Sequence, residues 1–174
     1  MKTHIIGIMA LCALPLMSFA SSVDTSTVDR FDLNKYLGIW YEVARYDHSF
    51  EKGMDNTIAQ YILQDDGTVA VINSGWKNGK YQVAEGKAKY PDPDGKPGGL
   101  KVSFFLFFYS EYNIMMVDEN YQMSLVGSKK DNYLWILSRT PEPDPALLGM
   151  MLDEAADRGY DIEKLIWVDQ SRNK

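Results

Sequence analysis

The 174-residue chain contains one cysteine, two histidines and no long apolar run beyond its first twenty positions. A single cysteine, Cys12, cannot close an internal disulfide, so any fold must stand on its hydrophobic core. Of the histidines only His48 lies beyond the first twenty residues, which leaves too few imidazole and thiol ligands for a metal site. No metal or other cofactor is expected. Positive charge is also scarce: 18 Lys and Arg face 24 Asp and Glu. That balance argues against a nucleic-acid partner and against a basic helix lying on a membrane.

What the first twenty residues do contain is the pattern of a secretory signal. Lys2 supplies the positive end, residues 5–16 form a twelve-residue apolar core, and Ser18-Phe19-Ala20 offers a small-x-small cleavage site. The core falls short of the roughly 20 residues a membrane-spanning helix needs. Cleavage after Ala20 removes Lys2 and moves the net charge from −6 to −7. A lipid anchor on Cys12 would call for a small residue before it, and Leu11 stands there. The expectation is an exported protein, periplasmic or secreted, with the lipid-anchored outer-membrane form disfavoured.

Residues 21–30 are polar and read as a loose lead-in, and residues 31–170 as one domain, in which Phe31, Leu33 and Tyr36 make the first apolar contacts. Short strand patterns follow over 38–47, 57–64, 68–76, 80–90, 100–107, 111–118, 121–128 and 133–139. Asp65-Asp66-Gly67, Lys77-Asn78-Gly79 and residues 129–132 are tight-turn sequences, so consecutive strands run antiparallel. Asp144-Pro145 then opens a helix as cap and first residue, with Leu147, Leu148, Met151, Leu152 and Ala155 on one face and Gly159 ending it. Residues 164–168 make a short final strand. The predicted fold is all-β: an eight-stranded antiparallel up-and-down barrel with one C-terminal helix on its outside.

A barrel of eight strands can be filled or can hold one small ligand. The fourth strand pattern decides in favour of space, because Glu85, Lys87 and Lys89 alternate with Ala84, Gly86 and Ala88, and small inward residues leave room. Alternation on the other strands adds Ala59, Tyr61, Phe104, Leu106, Tyr112, Met123 and Trp135 as wall residues, a set that a one-residue register slip would invert. Counting strand directions brings Trp40, the turn 118–121 and Arg139 to one end. An arginine beside an indole face is worth about 0.5–2 kcal/mol there.

With GIWYE and the following VAR at the first strand, VDENY at the turn and LWILSRTP ending the last strand, the chain resembles the lipocalin family, and within it the bacterial lipocalins. ARYDHSFEKG and LKVSFF extend the match. The resemblance spans essentially all of residues 31–168 and implies an eight-stranded cup that carries a hydrophobic ligand, a fatty acid or lysophospholipid in the bacterial branch, whose members are commonly lipid-anchored to the outer membrane; with Leu11 before Cys12, transient contact with that membrane is the expectation for this chain. Gly38, Trp40, Asp118, Tyr121 and Arg139 are then the closed end and structural.

Three further features are weighed by chemistry. His48 reads as a loop residue holding a turn with Asp47. Lys52, Lys77, Lys80, Lys129 and Lys130 fall in or beside the loops of the open end and could meet an anionic head group. Glu42 shares the inward parity of Trp40, and an acid in an apolar cup would have a raised pKa suited to acid–base work. No second inward acid, nucleophile triad or metal set accompanies it in the sequence. The reading is therefore a non-catalytic carrier, with an enzyme using Glu42, or a periplasmic interaction module, as the alternatives.

Overall fold

The computed structural model describes residues 23–105, 108–130 and 132–174, so the signal and Cys12 lie outside the described residues. Eight antiparallel strands pair in chain order: β1 (Gly38–Tyr46), β2 (Met54–Leu63), β3 (Val69–Lys77), β4 (Lys80–Lys89), β5 (Gly99–Ser103), β6 (Ser110–Val117), β7 (Met123–Gly127) and β8 (Leu134–Ser138). β8 returns to β1, which also pairs with β2, and the barrel closes. The turn between β3 and β4 shows why these links stay short. Asn78 (φ 52°) and Gly79 (φ 73°) both sit in the left-handed region that a two-residue hairpin requires.

The strands separate two apolar layers. Inside, Trp40, Val69, Val71, Leu100, Ile114 and Val126 belong to one buried cluster. Outside, Ala44, Leu125 and Ile136 pack under helix α2 (Pro145–Asp157), which contributes Met151 and Ala155. Asp144 caps this helix, its Oδ1 accepting from the amides of Ala146 (2.7 Å) and Leu147 (3.2 Å). Gly159, at φ 89°, lets the chain leave it.

Four details depart from the pattern read in the sequence. Residues 23–28 are not loose: the amide of Asp24 donates to Arg158 O (2.9 Å) and that of Val28 to Ile114 O (3.0 Å), which straps the segment across the wall. Before β1 the chain forms one helical turn, α1 (Leu33–Tyr36), capped by Asp32. β5 ends at Ser103, not at 107. Finally, β1 carries a bulge between Glu42 and Ala44, which turns Arg45 inward and Ala44 outward.

The bulge also changes the neighbour of β1. Its lower half pairs with β2, from Gly38↔Tyr61 to Tyr41↔Ile58, while its upper half pairs with the last strand, β9 (Leu165–Trp167). The seam between the upper parts of β1 and β2 is bridged by the buried side chain of Gln170, whose Nε2 donates to Glu42 O (2.8 Å) and Thr57 O (2.9 Å).

Candidate ligand-binding site

One end of the barrel is sealed by residues from three distant parts of the chain. Trp40 is fully buried, and its indole N–H donates to Tyr36 O (2.8 Å). The Arg139 guanidinium lies 3.8 Å from the centre of the Trp40 ring. From there it donates to Ile39 O (2.7 Å), Lys35 O (2.7 Å), Leu37 O (3.0 Å) and Tyr121 O (3.2 Å). A planar fork of donors is what makes so many carbonyls reachable from one side chain. The Asp118 carboxylate organises the adjoining turn by accepting from the amides of Asn120, Gln122 and Met123. Tyr121, held at φ 56°, accepts from the Asp32 amide (2.7 Å). Gly38 has φ 96°, a conformation glycine alone adopts without strain, and a Cβ there would lie 3.5 Å from Arg139 Nη1.

Above this plug a chain of hydroxyls crosses the interior. Tyr61 donates to Tyr112 (2.8 Å), and Tyr112 and Tyr36 share a hydrogen bond of 2.9 Å. Tyr36 in turn meets Ser124, whose Oγ donates to Met116 O (3.2 Å). Burial pushes the Tyr36 phenol up to about 12 and those of Tyr61 and Tyr112 well above their usual value, so all three stay neutral.

The remaining wall positions sort by height and face. Ala59 sits opposite Trp40 and Asn73 on the inner surface and stays half-buried, as do Tyr112 and Trp135. Ala84 shares the face of Gly86 and the buried Ala88, and is exposed towards the mouth. Phe104 lies just past β5 with its ring over Gly86, where a Cβ would stand 2.7 Å from Phe104 Cδ1. Leu106 lies outside the described residues. Met123 is a correction: it belongs to the outer layer under α2, not to the interior. Every residue of β7 is buried because both faces are covered, so alternation gave no parity there.

Near the mouth a buried polar group occupies one side of the wall. Arg45 donates to Glu42 Oε1 (2.6 Å) and to the carbonyls of Glu51 (2.9 Å) and Met54 (3.0 Å). Glu51 Oε2 accepts from Trp135 Nε1 (3.2 Å) and lies 3.1 Å from His48 Nε2. Glu42, Arg45, His48 and Glu51 are all at most 6% exposed. Burial, and next the charge of Glu51, push the Glu42 carboxyl up to about 8 against the opposing pull of Arg45. Two expectations change here. A second inward acid does exist, supplied by the β1–β2 loop. His48 also turns inward instead of holding Asp47, which pairs with Lys52 (3.6 Å). The ring of His48 stacks on Phe50 at 4.0 Å, and both neighbour the stacked Tyr133–Trp135 pair. Lys80, Lys129 and Lys130 are exposed at the same end.

A sequence model described as a lipocalin-like domain matches residues 31–170. This chain belongs to the lipocalin family. Among lipocalins of known sequence it is 46% identical over 147 residues to the outer membrane lipoprotein Blc of Citrobacter freundii, covering 83% of this chain and 82% of that one. It is 34% identical over 150 residues to apolipoprotein D of Bos taurus, covering 82% and 78%. Among solved structures, insecticyanin of the tobacco hornworm Manduca sexta superposes with a TM-score of 0.70 over 86% of each chain at 22% identity, a likeness of fold.

Proposed function

We propose that this lipocalin is an exported, non-catalytic carrier that buries the acyl chain of a fatty acid or lysophospholipid in the upper half of its barrel, with the head group at the mouth. The observation that carries the reading is the uneven burial of one inner surface. Val69, Val71, Leu100 and Ile114 are 0–2% exposed, while Ala59, Tyr112 and Trp135 on the same inner face remain half-buried. Inward residues that keep solvent contact line accessible space, and their aromatic and aliphatic surfaces suit a hydrocarbon. The lipocalin-like domain over residues 31–170 agrees with this use, because the family resemblance implies a cup for a hydrophobic ligand. Each methylene moved from water into such a wall contributes about 0.8 kcal/mol before the costs of association.

The test uses Trp135. Titration with oleic acid or an oleoyl lysophospholipid is expected to change the tryptophan emission, and Trp135→Phe to remove most of that change while calorimetry still detects binding. No heat of binding with either lipid would end the carrier reading. Glu42 favours the second reading, an isomerase or hydrolase of a lipophilic substrate, because its carboxyl keeps a proton near neutral pH. A conversion lost in Glu42→Gln with lipid binding intact would establish it.

Anchoring is a separate matter. The relative from Citrobacter freundii is named an outer membrane lipoprotein, which weighs towards acylation at Cys12 and against processing at Ala20. Mass spectrometry of the mature N-terminus distinguishes a lipid-modified Cys12 from a free Ser21.

A further inference from the structure

The polar group at the mouth is short of positive charge. Glu42 and Glu51 bring two carboxyl groups, and among the described residues Arg45 is the one permanent cation in this group. The other titratable groups facing them are His48 on the same loop, Tyr61 on β2, Tyr36 and Tyr112 on the hydroxyl chain, and Tyr133 beside Trp135. None of the tyrosines supplies a charge. Two acids and one guanidinium held this close reach neutrality only when one proton is held within the group of Glu42, Glu51 and His48, and the upward shift at Glu42 agrees with that.

A second, independent feature lies at the same place. The imidazole of His48 is 6% exposed, yet neither ring nitrogen has an aligned hydrogen-bond partner. Nε2 lies 3.1 Å from the Glu51 carboxyl group, and Nδ1 is buried without a partner. Beside Glu51 stand Trp135, stacked 5.7 Å from Tyr133, and Phe50, 6.4 Å from Trp135. A carboxyl group, a buried ring nitrogen without a partner and a wall of aromatic faces form the combination that recognises an ammonium group.

We infer that the mouth of this barrel selects amphiphiles that carry an ammonium group, bound beside Glu51, His48 and Trp135, over anionic amphiphiles of equal chain length. The inference rests on the carrier reading and names the head group within it. In a zwitterionic head the phosphate faces the exposed Lys129 and Lys130 while the ammonium reaches Glu51. An incoming ammonium also supplies the missing charge, so the proton held within the group leaves for solvent as the ligand binds.

The experiment compares lysophosphatidylethanolamine with lysophosphatidylglycerol of the same acyl chain, by calorimetry on the full mature protein. The ethanolamine lipid is expected to bind about tenfold more tightly, and Glu51→Gln to bring the ratio of the two affinities to about one. Glutamine keeps an acceptor for Trp135 Nε1. Should that variant fail to fold, a readout on the unaltered protein decides. In buffers of different ionisation enthalpy, the ethanolamine lipid releases up to about one proton per molecule bound and the glycerol lipid releases none. Equal affinities, a ratio that survives in Glu51→Gln, or no difference in proton release would overturn the inference while leaving the carrier standing. If neither lipid binds, the carrier reading falls and this inference with it.

Discussion

Below the tyrosine chain the inward side chains touch one another, and above it the same strands turn short or polar residues inward. Leu100 and Ile114 lie in the lower interior at 0–1% exposure, whereas Ala59, Ala84 and Asn73 face the upper interior, where β3 and β4 also carry little bulk. The closures differ as well. At the base Arg139 joins four carbonyls from two stretches of backbone about eighty residues apart, 35–39 and 121. Near the mouth, β1 leaves β2 and the seam is bridged by side chains, the amide of Gln170 and the guanidinium of Arg45. The contrast teaches a division of labour: stability is concentrated in the base, and selectivity is left to a mouth whose polar groups are only partly satisfied.

The strongest challenge to that division is Trp40→Ala. Truncating a fully buried indole should cost about 3–5 kcal/mol, read as a lower midpoint in urea denaturation. A loss below about 1 kcal/mol would mean that the base is not where the fold is held. Next comes Arg139→Ala, which removes the ring contact and orphans several carbonyls, at about 2–4 kcal/mol. Arg139→Lys should recover less than half of this, since an ammonium cannot span the same carbonyls. Lipid selectivity among folded molecules should stay unchanged in both.

How much of this was legible beforehand follows the same boundary. The base could be read because Trp40, VDENY and Arg139 sit at strand ends, where counting directions suffices and small errors of register do no harm. The fold was legible for a similar reason: turns such as Lys77-Asn78-Gly79 state their geometry in their residue types. Met123 was misplaced because β7 is covered on both sides, which erases the polar half of the alternation. Arg45 and Glu51 were missed for two other reasons. The bulge after Glu42 inverts parity midway through β1, and loop residues such as Glu51 and His48 have no periodicity to follow. Two opposite charges three residues apart, Glu42 and Arg45 in the otherwise apolar YEVARY, were the one available clue.

The polar mouth makes a prediction about pH. Glu42 in the folded protein holds its proton well above the ordinary carboxylate range, up to about 8. Between those limits the folded state binds more protons than the unfolded chain, so stability is greatest below the window and declines as pH rises through it. Glu42→Gln should flatten that decline, gaining on the unaltered protein at about pH 9 and matching it more closely at about pH 5, by denaturation at each pH. An unchanged slope would place the proton elsewhere in the cluster.

The smallest expected change in stability gives the sharpest test of the upper half. Ala84 shares the inner parity of Gly86 and Ala88, yet is exposed towards the mouth, so Ala84→Phe adds a ring where nothing has to move. Stability should therefore shift by no more than about 0.5 kcal/mol. If the space beside Ala84 and Phe104 receives the acyl chain, the added ring competes with it, and affinity for an oleoyl lipid should fall about tenfold, or about 1.4 kcal/mol. Unaltered affinity would put the chain against the opposite wall, towards Trp135 and Tyr112, and would separate the hydrocarbon path from β4 while leaving the base as it is.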